Sequence, residues 1–130
     1  MSATLPLINV LVVNDQPEMC ELWQRIIDLT PGLNCTGYAL NGENAIQSVS
    51  DQLPDVVLMD VMMPGIGGLE ATRRIVGMRP ETIIIIYSAY TGTEAQAYEA
   101  GAAKYLLMPV PPERLTQTIR HVYKQQYQTS

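Results

Sequence analysis

The sequence predicts an α/β fold, (βα)5, in which five parallel strands form one doubly wound sheet with helices on both faces. Three observations carry that prediction. Three short runs, Val10–Val13, Val56–Met59 and Ile83–Ile86, consist almost wholly of β-branched and aliphatic residues, the pattern of central strands covered on both sides. The segments between them place apolar residues at helical spacing and carry start and stop signals. Strand starts recur at the interval of a βα unit along the whole chain. At 130 residues and 47% hydrophobic content, the chain is sized for a single domain around one core. That domain is expected to fill residues 1–130, with the core over about 8–123.

The elements follow in order. After the first strand, Met19, Leu22, Trp23, Ile26 and Ile27 stand at i, i+3, i+4 spacing, and Pro31-Gly32 ends that helix. Leu33 to Ala39 alternates in polarity and predicts an edge strand. Asn41 can cap the second helix. The third strand runs into Asp60, and a third helix is expected over about Leu69 to Val76. The fourth strand ends at Ser88; Thr93-Glu-Ala-Gln96 then resembles a capping box for a fourth helix. Lys104 to Met108 predicts a second edge strand. Pro112 suits the first turn of a fifth helix, whose apolar face is Leu115, Ile119, Val122 and Tyr123. The Gln-rich stretch from Lys124 to Ser130 reads as a frayed end or the start of a linker.

Composition excludes several classes of function. A net charge of −5 at pH 7 and the lack of clustered Lys and Arg argue against a nucleic-acid or acidic-membrane surface. The one basic doublet, Arg73–Arg74, reads as a solvated helix face. The first basic residue is Arg25, and the apolar stretch Leu7 to Val13 is too short to cross a bilayer, so a cytoplasmic location is expected. Cys20 and Cys35 lack metal-ligand spacing and read as reduced structural thiols. His121, the sole histidine, reads as a surface residue of the last helix.

In open parallel sheets ligands bind beyond the carboxyl ends of the strands, where strand order reverses; for a flavodoxin-like order 2-1-3-4-5 that point lies between the first and third strands. Asn14-Asp15 follows the first strand and Asp60 ends the third. Two carboxylates are therefore expected across the crevice, each raising the other's pKa unless a cation intervenes. Oxygen ligands without His or Cys point to a hard cation, and a site with few carboxylates suits Mg2+. At the end of the fourth strand the Ser88 hydroxyl can donate to a phosphoryl oxygen, and Ala89 leaves room for the group to enter.

These residues resemble the receiver domain of bacterial response regulators, of the chemotaxis-receiver-like kind, over about Ile8 to Tyr123. The likeness rests on Val12–Pro17, Asn41–Ala45, Pro54–Gly65, Gly68–Glu70, Ser88–Tyr90 and Glu99–Ala102. The resemblance implies phosphoryl transfer to Asp60 from a sensor histidine kinase, or from a small phosphodonor, with Mg2+ present. It further implies Asp15, Asp60 and the backbone oxygen of Met62 as metal ligands, with Asn14 acting through water. Ser88 would bind the phosphoryl group, and Tyr105 would be the aromatic residue that swings inward on activation. Signalling would run through the face made by the fourth helix, fifth strand and fifth helix, to a downstream effector or fused output domain, with a possible homodimer through the fourth and fifth helices. No chemistry on outside substrates is implied, only self-phosphorylation and loss of that phosphoryl group. A phosphohydrolase resembling the haloacid dehalogenases would carry a second Asp where Met62 stands.

The sequence departs from that family in three places. Met108 stands where the family has Lys before Pro, and Asn14 where it has the first of two acidic residues. Gly67 replaces a frequent Asp and adds loop freedom. The stretch from Ser88 to Gly101 is also short, which predicts a truncated fourth helix or a tight loop before it. A charged hydrogen bond of the kind Lys would make is worth about 1.5–3 kcal/mol, so a weakened switch is expected. The alternative is a pseudo-receiver that binds its partner irrespective of phosphorylation.

Overall fold

The computed structural model describes residues 7–127. Five strands alternate with five helices: β1 (Ile8–Val13), α1 (Pro17–Asp28), β2 (Leu33–Ala39), α2 (Gly42–Gln52), β3 (Val56–Asp60), α3 (Gly67–Met78), β4 (Ile83–Ser88), α4 (Glu94–Ala100), β5 (Lys104–Leu107) and α5 (Pro112–Tyr127). The sheet is parallel throughout in the order β2-β1-β3-β4-β5. This is the flavodoxin-like doubly wound arrangement, and it puts the ends of β1 and β3 side by side.

The apolar runs are continuous because alternate residues feed two separate layers. Val10, Val12, Leu58, Ile85 and Tyr87 pack under α1 and α5 with Trp23, Ile27, Leu115 and Ile119. Leu11, Val13, Met59, Ile84 and Ile86 pack on the other face against Ala45, Val49, Ala71, Ile75 and Ala97 of α2, α3 and α4. Burying one such Ile or Leu side chain contributes about 1.5–3 kcal/mol. Asn41 caps α2 as expected, its side chain accepting from the Asn44 N–H at 2.7 Å.

Several elements differ from expectation. α3 starts at Gly67, whose φ of +76° suits glycine, so this position fixes a sharp helix entry instead of loosening the loop. A Cβ on Gly68 would fall onto the Asp60 carbonyl oxygen, so α3 begins against the end of β3 at a distance that only glycine allows. Thr93 does not cap α4 with its side chain; its hydroxyl is engaged by Tyr105. α4 is a short helix of 7 residues, in line with the truncation expected. α5 runs past Lys124 to Tyr127. The Tyr123 and Tyr127 rings lie 4.7 Å apart between centroids, and the Tyr127 hydroxyl donates to the Glu81 carbonyl, which anchors the last turn of a stretch read as tail. Residues 128–130 of that stretch lie outside the described residues.

Candidate functional site: an acidic cleft at the strand ends

The carboxyl ends of β1, β3 and β4 and the residue after β5 enclose an open cleft of about 340 Å³. Asn14, Asp15, Asp60, Met62, Ala89 and Met108, all expected at the site, line it, together with Gln16, Met19, Tyr87 and Tyr90. Asp60 projects from the last position of β3 and is half-buried, while Asp15 is exposed on the turn after β1. Burial pushes the Asp60 carboxyl up to about 6; the Met62 N–H opposes this, the Asp15 charge adds to it, and the Val61 N–H again opposes. Among the described residues no Lys, Arg or His lines the cleft. Lys104, exposed on β5 where its neighbour Tyr105 is buried, lies on the opposite side of the strand from Tyr105.

Among the described residues no cluster of three or more His, Cys, Asp or Glu forms. Two carboxylates with neighbouring carbonyls and solvent are a poor cage for Zn2+ or Ca2+. They fit Mg2+, which binds through one or two carboxylates and keeps several waters. Burial first, and then the Asp15 charge, raise the Asp60 carboxyl, and a cation beside it would favour its charged form.

Asn14 is buried. Its Oδ1 accepts from the Gln16 N–H at 2.8 Å and its Nδ2 donates to the Tyr87 hydroxyl at 2.9 Å. That leaves one lone pair on Oδ1 for a water. Met108 is partly buried against the α1–α5 core layer; its N–H donates to the Ser88 carbonyl, and the Met108–Pro109 peptide is cis.

Ser88 and Tyr105 are not brought to the cleft wall. Ser88 is 2% exposed, and its Oγ accepts from the Tyr90 N–H at 3.0 Å. Tyr105, 7% exposed, lies in the layer of α2, α3 and α4, more deeply than an edge-strand aromatic needs. Its hydroxyl donates to the Tyr90 carbonyl at 2.7 Å and meets the Thr93 Oγ1 at 2.8 Å. Because the one phenolic proton goes to Tyr90, Thr93 is the donor in the second contact. Tyr90 thus touches both Ser88 and Tyr105 through its backbone and reaches the cleft.

Sequence reasoning did not single out Tyr87, and it quoted Tyr90 and Gly68 only within segments of the resemblance, with no role of their own. The available signal for Tyr87 was a polar-headed residue ending a run of four Ile beside Ser88. Tyr87 bridges the cleft and the core: its ring meets Trp23 edge-on at 6.4 Å, so Trp23 packs one residue away from the cleft.

Comparison with known proteins agrees with this geometry. Residues 10–120 match the family described as "Response regulator receiver domain". "Response regulator UvrY" of Escherichia coli K12 is 39% identical over 92% of this chain, and the chain spans 56% of that protein's length. "Response regulator GacA" of Pseudomonas aeruginosa is 36% identical over 90% of the chain, again 56% of the relative. The chain thus spans little more than half of these relatives. A LuxR-family two-component response regulator from Aurantimonas superposes with a TM-score of 0.86 at 30% identity, covering 92% of this chain and 86% of that one. The response regulator domain of Thermotoga maritima CheB gives 0.84 at 29% identity, covering 91% and 97%. With the acidic cleft at the β1/β3 switch point and a family match that spans residues 10–120, the chain belongs to the receiver domains of two-component response regulators.

Proposed function

We propose that Asp60 is the phosphoryl acceptor of this receiver, taking the group from a phosphohistidine of a sensor kinase or from a small phosphodonor. The observation that carries the reading is the pair of carboxylates, Asp15 and Asp60, sharing one cleft in which no basic residue among the described residues offsets them. Asp15, Asp60 and the Met62 backbone oxygen would hold Mg2+, with Asn14 adding a water contact. When bound, that ion supplies neutralisation of the charge shared between carboxylate and phosphoryl oxygens. A carboxylate oxygen of Asp60 attacks phosphorus and the donor's P–N or P–O bond breaks, the electron pair leaving with the donor. Ala89 keeps the approach open, and the Ser88 hydroxyl, once released from the Tyr90 N–H, can donate to a phosphoryl oxygen.

The switch is weak in this reading, because Met108 offers no ammonium to the phosphoryl group. A loss of about 1.5–3 kcal/mol in a charged hydrogen bond corresponds to about ten- to a hundredfold. Output runs through the face of α4, β5 and α5, where Tyr98 and Leu107 are exposed, to an effector or a fused output domain, and a homodimer through α4 and α5 uses the same face. Residues 1–130 act as one receiver unit in the cytoplasm. The chain transforms only its own aspartyl phosphate.

One observation favours a second reading, the phosphorylation-independent module. Tyr105 is buried and tied by two hydrogen bonds, so the output face is already held in one arrangement. Incubation with acetyl phosphate and Mg2+, followed by intact mass, separates the two. A gain of one phosphoryl mass that Asp60→Asn abolishes supports the acceptor reading. No gain in the native chain, with a gain in Met108→Lys, supports the module.

A further inference from the structure

Every polar group of Asn14 is engaged. Its backbone N–H donates to the Ala39 carbonyl at 3.1 Å, and its carbonyl accepts from the Cys20 thiol at 3.4 Å. The side-chain Oδ1 takes the Gln16 N–H, and Nδ2 donates to the Tyr87 hydroxyl. Tyr87 gives its single proton to the Val13 carbonyl at 3.2 Å, so its oxygen acts as acceptor toward Asn14 and the direction of each bond is fixed. Asn14 and Tyr87 are 6% and 4% exposed, so losing either leaves the other's buried polar group without its protein partner. Asp15, next in the chain, is exposed and makes no side-chain hydrogen bond among the described residues. Asp15 is the middle residue of the turn that Asn14 closes with Gln16.

We infer that Tyr87 is a positioning residue for cation binding: its hydroxyl, set between the ends of β1 and β4, holds the Asn14 amide that closes the Asn14–Gln16 turn and so presents Asp15 to Asp60. The bridge is uncharged, which leaves both negative charges of the cleft to a divalent cation. Supporting groups of this kind orient first ligands and govern affinity. Residues 14 and 87 are also matched in polarity. A carboxylate at position 14 would need the Tyr87 proton, and the buried Val13 carbonyl would then lose its donor.

The inference rests on the reading of the cleft as a cation site. Mg2+ titration of the isotope-labelled chain, followed through the amide shifts of Asp15 and Asp60, tests both. Tyr87→Phe should weaken Mg2+ affinity by about tenfold, while Ile119→Val, in the same core layer and away from the cleft, should leave it unchanged. Should Tyr87→Phe prove too unstable at the working temperature, the same titration at a lower temperature, with the circular dichroism spectrum as the check of folding, makes the same comparison of affinity. Affinity that matches the native chain in folded Tyr87→Phe overturns the positioning role alone. A native chain whose shifts ignore Mg2+ overturns the cation reading and this inference with it.

Discussion

Asp60 carries a cost in the fold that its chemistry explains. Its carboxyl is raised to about 6, above its value in the unfolded chain, so the folded state binds a proton more tightly than the unfolded one. That contribution to stability is fully present below about pH 4 and is lost as pH rises through about 6. Asp60→Asn, which removes the charge, is therefore expected to raise the melting temperature at pH 7.5 and to lose that advantage below pH 4, as thermal denaturation at the two pH values will show. Met108 is the other decisive residue. Met108→Lys places an ammonium beside two carboxylates, and acetyl phosphate labelling followed by intact mass should run about ten- to a hundredfold faster; an unchanged rate would remove Met108 from the account of the weak switch. At this scale the sequence disclosed what strand ends disclose. Asp15, Asp60 and Ala89 follow apolar runs, so their place at the cleft was legible. Tyr87 was not, because a Tyr ending a run of Ile reads as core until the partner of its hydroxyl is known. That Ser88 faces the Tyr90 N–H and not the cleft wall depends on loop geometry that no residue pattern records.

The elements owe their ends to local chemistry of unequal visibility. The cap on α2 was visible, since Asn41 precedes the helix and its side chain reaches the Asn44 N–H. Asn41→Ala should cost about 1 kcal/mol, measurable by urea denaturation. The start of α3 was hidden. Gly68 reads as an ordinary loop residue, yet a Cβ there would strike the Asp60 carbonyl oxygen, and backbone cannot step aside as a side-chain tip can. Gly68→Ala is expected to destabilise by about 3 kcal/mol or more and to slow labelling of Asp60 by shifting the end of β3. A variant as stable as the native chain would show that α3 can retreat. The Thr93 signal was legible but misleading: the tertiary contact with Tyr105 drew the hydroxyl away from the local cap. α5 outran its polar ending because an aromatic pair at i, i+4 and the bond from Tyr127 to Glu81 hold a turn that composition alone marked as tail.

For the molecule as a whole, parallel order was readable because strands apolar on both faces need helices above and below, and short βα connections leave few topologies. Topology then places the ends of β1 and β3 together, and a site that no single segment contains arises between them. If a divalent cation binds there, it stabilises the whole fold by mass action, about 2.7 kcal/mol at a hundred times its Kd. Thermal unfolding should therefore shift upward with Mg2+ at pH 7.5, and less below pH 6, where the Asp60 carboxyl holds its proton. Equal shifts at both pH values would place the cation elsewhere. The central claim is that this cleft makes Asp60 a phosphoryl acceptor. Its most direct test is to treat the chain with acetyl phosphate and Mg2+, reduce any acyl phosphate with borohydride, and map the peptides by mass spectrometry. Homoserine is expected at position 60, and not when Mg2+ is chelated; no homoserine, or homoserine only at another aspartate, would mean that Asp60 is not the acceptor.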